Sequence, residues 1–279
     1  MISLNTDLNP VQLSRRDLLR VGAALTVSGP ALTFGNPADA NERKLSEIKA
    51  LVFDVYGTCA DYWGSFVREG QAINRKKGLD IDWDKLAADW HGLYPSSFAA
   101  MYKGQRPWES FAKLRREALD NLMHERGIHS FSAGELADIN SVWQRLDLWP
   151  DTLAGLQRLK RRYTLATLSN ADMADMVKLA KHSDLPWDMI LTAELAQSVK
   201  PDPKVYQIVP RYLGLKPEEI MMVACHKADL QGAAAQGLRT AFVARPLETG
   251  PNVSTDIRAD AHFDLNVTSF GELGDLLQA

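Results

Sequence analysis

The sequence predicts an α/β fold, a doubly wound parallel sheet with a small helical domain inserted after the first strand. Three observations point there. From residue 151 onward, short apolar runs alternate with amphipathic stretches of helical length, which is how a parallel sheet with crossover helices reads. Residues 59–150 carry helical spacing and no long β-run. Polar or charged residues directly follow successive apolar runs, at the edge where open α/β sheets bind ligands.

Composition allows such a fold and narrows the function. The chain has 279 residues, 46% hydrophobic and 24% charged, enough for a sizeable core. A net charge of −3 argues against nucleic acid or an anionic membrane as partner. The two cysteines, Cys59 and Cys225, form no metal-ligand pattern. Both follow expected strands and could lie near each other in space, but that does not establish a disulfide, and they read as two buried free thiols.

Residues 1–40 read as an export signal. Ser14-Arg15-Arg16-Asp17-Leu18-Leu19-Arg20 is a twin-arginine pattern, and a charge-free apolar stretch runs from Val21 through Phe34. That stretch falls short of the ~20 residues of a membrane span. Ala38-Asp39-Ala40 fits the small-x-small rule for cleavage after Ala40. The expectation is a folded protein exported to the periplasm, with the twin-arginine machinery as a partner.

The first strand lies in residues 47–58. Ile48 and Ala50 to Phe53 suit a strand buried on both faces, Asp54 stands at its end, and Gly57 breaks it. Helical spacing follows at Trp63, Phe66, Val67 and Gly70, then at Ala72–Lys76, Leu86–His91, Phe98–Tyr102, Trp108–Arg126 and Glu135–Leu146. Gly78, Gly104 to Pro107 and Gly127 punctuate these helices. The domain boundaries are residues 47–60 with 150–279 for the sheet and 61–149 for the helical cap, a lid over the strand ends.

The α/β half then proceeds in order. Thr152–Arg162 is a helix with a basic last turn, favourable for the helix dipole. Tyr163–Leu168 is a buried strand ending in Ser169-Asn170, and Met173–His182 is a helix. Met189–Thr192 reads as a third short strand. Lys200-Pro201-Asp202-Pro203 is a loop opening a helix, Lys204–Leu213. Glu218–Ala224 leads into a fourth strand with Cys225-His226 at its end, and Asp229 begins a helix through Gly237. Thr240–Val243 is a fifth strand, His262-Phe263 with Leu265–Val267 an edge strand, and Phe270–Leu277 the last helix.

Asp54, Ser169 with Asn170, Lys200 and Asp229 therefore converge on one edge. A carboxylate there can act as nucleophile. A neighbouring Lys keeps it ionised. Ser169 and adjacent backbone N–H groups can hold an anionic oxygen, and a second carboxylate can serve hydrolysis.

On these residues the chain resembles the haloacid dehalogenase (HAD) superfamily over about residues 47–279. Phe53-Asp54-Val55-Tyr56-Gly57-Thr58 is similar to its first motif, Leu168-Ser169-Asn170 to the second, Lys200-Pro201-Asp202 to the third and Asp229 to the acidic fourth. Trp149-Pro150-Asp151 resembles the return from the cap. The resemblance implies a Rossmann-like core with a cap. It also implies an aspartyl-ester mechanism. Phosphatases of the superfamily carry a second Asp two residues after the nucleophile and bind Mg²⁺. Here that position is Tyr56, a phenol and a poor Mg²⁺ ligand. The metal-independent L-2-haloacid dehalogenases (type II) carry Tyr there.

By that resemblance Asp54 attacks the halogen-bearing carbon of a small 2-halo carboxylate, with no metal or cofactor. Thr58 and Lys200 support Asp54, Ser169 and Asn170 take the substrate carboxylate, and Asp229 serves the hydrolytic step. Tyr206 is similar to a tyrosine of the dehalogenase site, with helix packing as its alternative reading. Enzymes of this kind are often homodimers. Two departures stand out. The cap pair is Trp90-His91 in place of Trp-Arg, and Ala224-Cys225-His226-Lys227 replaces a Ser-Ser-Asn run. His91 and His226 are thus substrate-side candidates, His226 either replacing the Asn in holding the hydrolytic water or standing at the surface where a helix starts, and Arg75, Arg106 and Arg245 are candidates for the missing cation. The alternatives are a Mg²⁺-dependent phosphatase and a catalytically impaired binding protein of the same fold.

Overall fold

The computed structural model describes residues 45–279, all within one compact unit. The expected export signal, residues 1–40, lies outside the described residues. Among the described residues no helix is long and apolar enough to cross a membrane.

The sheet is built from β1 (Ala50–Phe53), β4 (Thr164–Thr167), β5 (Ile220–Ala224), β6 (Arg239–Val243) and β7 (Leu265–Val267), with two-residue strands β2 (Ala60–Asp61) and β3 (Asp147–Leu148) forming a separate ribbon. The five run in the order β4-β1-β5-β6-β7 and every pairing is parallel. In register, Phe53 lies opposite Thr167 on one side and Val223 on the other. All four residues of β1 are buried, as a strand covered by helices on both faces must be. The chain passes from β1 to β4 on one side and from β4 back across to β5 on the other, and this reversal beside β1 opens a crevice beyond Phe53.

Helices α1 (Tyr62–Lys77), α2 (Trp83–Tyr102), α3 (Phe111–Glu125) and α4 (Ala133–Asn140) form the block after β1. Helix α1 has its ends written in the sequence. Asp61 caps its first turn by accepting from the Gly64 N–H at 2.8 Å, and Gly78 ends it in the left-handed conformation. The expected Leu86–His91 and Phe98–Tyr102 segments merge into the single helix α2. The ribbon of β2 and β3 closes the block where the chain leaves and re-enters the sheet. One apolar cluster runs through both parts: Phe53 and Val55 belong to it together with Trp63, Phe66, Trp90 and Trp143. Fully burying a side chain of this size contributes about 1.5–3 kcal/mol, so the block is anchored to the sheet by its aromatics.

The remaining helices are α5 (Thr152–Leu159), α6 (Met173–His182), α7 (Pro203–Leu213), α8 (Lys227–Ala234) and α9 (Phe270–Leu276). The expected third strand does not form. Met189 and Thr192 make only isolated bridges, to Ala166 and Ser169. The Thr167 hydroxyl donates to the Leu191 carbonyl at 2.7 Å and accepts the Leu191 N–H at 3.1 Å. The Asp188 carboxylate takes the Leu165 N–H at 3.0 Å. Side chains thus occupy backbone groups that a ladder would have used.

Candidate active site

The crevice at the carboxyl edge holds a cavity of about 270 Å³. Asp54, Tyr56, Ser169, Asn170, Lys200, His226 and Asp229 line it from the sheet side, and Tyr62, His91, Arg115 and Trp143 from the helical block.

Asp54 is 5% exposed. Its Oδ1 accepts from Ser169 Oγ at 3.0 Å and Lys200 Nζ at 3.2 Å. Its Oδ2 accepts from Thr58 Oγ1 at 3.0 Å and lies 3.2 Å from His226 Nδ1. Burial works against the negative charge, but the Lys200 ammonium, His226 and the Thr58 hydroxyl outweigh it and hold the carboxyl far below the usual range. Asp54 is thus an ionised carboxylate with four donors and a face on the cavity. The Thr58 hydroxyl can make its bond because it also accepts the Cys225 N–H at 3.0 Å, which orients it.

Lys200 bridges two carboxylates. Its Nζ stands 2.6 Å from Asp229 Oδ2 as well as 3.2 Å from Asp54. Burial disfavours the ammonium, yet the charges of Asp229 and Asp54 raise its pKa above the ordinary value. The Lys200 N–H donates to Asn170 Oδ1 at 2.9 Å, which fixes this loop against the end of β4. Asp202 then caps α7, whose first residue is Pro203.

Tyr206 does not line the cavity. It is fully buried on α7 and donates its hydroxyl to Asp229 Oδ1 at 2.9 Å. Both readings of this residue meet in one position: it packs within the core and holds a site carboxylate from behind. Gly232 makes room for it, since a Cβ there would come within 2.6 Å of the Tyr206 hydroxyl.

Tyr56 presents its ring to the cavity, edge-on to Trp143 with centroids 5.0 Å apart. Burial pushes its phenol well above the ordinary value, so it stays neutral. His91 lines the same wall, stacked on Tyr62 at 5.1 Å. Burial, with the His226 charge added, lowers the His91 pKa and keeps that ring neutral.

The cation of the helical wall is Arg115, a residue outside the three arginine candidates. Arg245 is buried but bonded to the Thr58 carbonyl and Asp151, where it pins the loop after β1 to the start of α5. Arg106 pairs with Glu109 and Glu117. Arg75 belongs to the basic last turn of α1. Arg115 is 3% exposed, stands 4.7 Å over the Trp143 ring and pairs with Asp175 at 2.5 Å. Its Nε is buried with no partner among the described residues, a condition that costs about 1–3 kcal/mol. Asp172 anchors the helix that carries it, accepting the Phe111 and Ala112 N–H groups at 2.9 and 2.6 Å.

Glu248 is the second residue that motif reading missed. It is 5% exposed, accepts from the Tyr62 hydroxyl at 3.0 Å and lies 3.1 Å from His226 Nε2. Its fit depends on Gly57, which has a φ of +85° and where a Cβ would stand 2.8 Å from Glu248 Oε1. Among the described residues, Cys225, His226 and Glu248 are the one grouping of metal-ligand types, with donor atoms within 4.8 Å of one another. Both His226 nitrogens, however, already face carboxylates. The cysteines are both free thiols, with Cys59 Sγ donating to the Asp54 carbonyl at 3.3 Å.

The chain is 28% identical over 208 residues to (S)-2-haloacid dehalogenase 4A of Burkholderia cepacia, covering 72% of this chain and 85% of that one. Its fold is similar to the solved L-2-haloacid dehalogenase PA0810, with a TM-score of 0.79 and 40% identity over 82% of this chain and 99% of the other. It is also similar to the defluorinating L-2-haloacid dehalogenase Rha0230, with a TM-score of 0.80 and 33% identity over 83% and 96%. A family model for haloacid dehalogenase-like hydrolases matches residues 48–237, and the chain belongs to that family.

Proposed function

We propose that the protein hydrolyses small (S)-2-haloalkanoic acids, without a metal, through an ester on Asp54. The observation that carries this reading is an ionised, fully supported Asp54 beside Tyr56 in place of a second carboxylate. A neutral phenol neither protonates a phosphoester leaving group at neutral pH nor offers a hard anionic oxygen to Mg²⁺. Relatives named as (S)-2-haloacid dehalogenases support the same substrate class.

Asp54 attacks C2 from the side opposite the halogen, and halide leaves. The configuration inverts, giving an (R)-2-hydroxy acid once the ester is hydrolysed at the Asp54 carboxyl carbon. Incubation with L-2-chloropropionate and a chelator tests this, with halide release as the readout. Release that depends on added Mg²⁺, or none at all, would contradict it.

The substrate is an anion, and Arg115 supplies the positive charge that His91 lacks. Arg115→Lys keeps a cation for Asp175 but loses the planar fork. We expect KM to rise about tenfold, the loss of one charge-assisted hydrogen bond, with a smaller change in kcat. An unchanged KM would remove Arg115 from substrate binding. The twin-arginine pattern at Arg15-Arg16 supports export. Amino-terminal sequencing of the periplasmic fraction is expected to find a chain beginning at Asn41, and retention of residues 1–40 there would refute cleavage after Ala40.

A further inference from the structure

We propose that Cys225, His226 and Glu248 form a binding site for one divalent ion of the zinc class, and that the ion, once bound, inhibits turnover. The ion site does not depend on the role of Asp54. Its effect on turnover rests on the reading of Asp54 as nucleophile.

The fold brings the three donors together from two segments. Cys225 follows the last residue of β5, His226 is the N-cap of α8, and Glu248 comes from the loop after β6. His226 Nε2 lies 3.1 Å from Glu248 Oε1 and 3.7 Å from Cys225 Sγ. A tetrahedral zinc ion, with bonds of about 2.0–2.1 Å to N and O and about 2.3 Å to S, holds such pairs roughly 3.3 and 3.6 Å apart. Both gaps therefore already have close to the length that the ion requires, and all three donor atoms lie within 4.8 Å of one another. Thiolate, imidazole and carboxylate suit zinc, whereas Mg²⁺ demands octahedral oxygen ligands. The thiolate and the carboxylate together balance the charge of the ion, so no net charge is buried.

The surroundings are those of a built metal site. His226 Nδ1 faces Asp54 Oδ2 at 3.2 Å, the carboxylate–histidine arrangement that orients a ligating imidazole with its other nitrogen toward the ion. The Tyr62 hydroxyl donates to Glu248 Oε1 at 3.0 Å and fixes that carboxylate. Cys225 and Glu248 are 8% and 5% exposed, while the His226 side chain is 41% exposed and gives the ion a way in. The two carboxylates that face the ring do not compete with the ion, since one is a ligand and the other supports one.

On binding, the Cys225 S–H bond breaks and its proton passes to solvent, as does the proton between Nε2 and Glu248. The ion takes the two freed lone pairs and one from the Glu248 oxygen, with no change of oxidation state. Its fourth position opens on the cavity, whose wall includes His226 and Glu248. A substrate carboxylate is itself an oxygen ligand for zinc. The ion therefore draws the substrate away from Arg115 and Ser169 and misplaces C2 for attack by Asp54. Zinc acts here as an inhibitor, consistent with a reaction that needs no metal.

The test is titration of the full chain, stripped of metal beforehand, with Co²⁺ as a spectroscopic substitute and then with Zn²⁺ against a chromophoric chelator. We expect one ion per chain and a near-ultraviolet thiolate-to-cobalt charge-transfer band. The chain has two cysteines, so Cys225→Ser should abolish the band and Cys59→Ser should keep it. Cys225→Ser and Glu248→Gln should each weaken Zn²⁺ binding by more than about 100-fold, beyond the usual cost of losing a supporting group. One equivalent of Zn²⁺ should suppress halide release from L-2-chloropropionate, and chelator should restore it. No band in wild type, a band that survives Cys225→Ser or vanishes in Cys59→Ser, or unchanged Zn²⁺ affinity in Glu248→Gln would each overturn the site. Full turnover with the ion bound would overturn the inhibition. Wild-type protein that releases no halide even without metal would overturn the dehalogenase reading, while the cobalt spectrum and the Zn²⁺ titration still decide the site.

Discussion

Asp54→Asn is expected to abolish halide release, by on the order of 10⁴-fold or more, the scale seen when a nucleophile is removed. The physical reason is local. The amide is neutral and weakly nucleophilic, and its nitrogen would point a donor at groups that already donate: Thr58 and His226 on one side, Ser169 and Lys200 on the other. The variant should still fold, since strand β1 and its pairings with β4 and β5 are untouched. Halide measurement on the purified variant beside wild type checks the rate, and circular dichroism checks the fold. Residual release within tenfold of wild type would mean that Asp54 is not the attacking group.

Lys200→Met should cause the largest loss of stability in the site. It removes the one ammonium shared by Asp54 and Asp229, both of which remain buried. Deleting one partner of a buried ion pair typically costs about 3–5 kcal/mol. The pH dependence follows from the shifts. In wild type the Lys200 pKa is raised, so its contribution is complete below the unfolded value of about 10.4 and is lost only as pH climbs through the higher folded value. The Asp54 pKa is lowered, so its contribution is complete above about 3.9 and is lost as pH falls through the folded value. The Asp229 pKa is raised, burial outweighing the Lys200 charge, and the His226 pKa is raised too, so wild type also loses some stability as pH rises through these groups. In Lys200→Met two carboxylates face each other without the cation between them, and one takes up a proton. The variant should therefore lose stability as pH rises from acid to neutral, which denaturant titrations at several pH values would reveal. Adding Asp229→Asn should restore part of the stability but not the activity. A loss below about 1 kcal/mol, with no pH trend, would show that the ammonium is dispensable to the fold.

The fold was legible where local pattern and burial agree. The apolar run before Asp54, the alternation after residue 151 and the turn residues around α1 and α7 each correspond to a structural cause now visible. The expected strand at Met189–Thr192 failed because Thr167 and Asp188 side chains substitute for a ladder, and no apolar count can register that. In the site, the residues read from strand ends surround Asp54, whereas Tyr206 reaches Asp229 from the core side.

Arg115 and Glu248 escaped for different reasons. Arg115 had a readable signal. It occupies the buried stripe of α3 with Phe111, Leu114, Leu119 and Leu122, and a charge on an apolar stripe is costly unless it is used or paired. Glu248 had none. It lies in a loop far along the chain from its partners Tyr62 and His226, and by sequence it resembles any solvated loop glutamate. Only the left-handed turn at Gly57 hints that something must approach the first loop closely.

The central claim, a covalent ester on Asp54 hydrolysed at its own carboxyl carbon, is tested most directly by isotope transfer. Enzyme in excess over L-2-chloropropionate is allowed a single turnover in water labelled with heavy oxygen, and product and protein are then weighed. The hydroxyl oxygen of the product should be unlabelled, having come from Asp54, and the label should sit in the Asp54 carboxylate. Label in the product after that single turnover, with none in the protein, would mean that water attacks the substrate directly and would contradict the account.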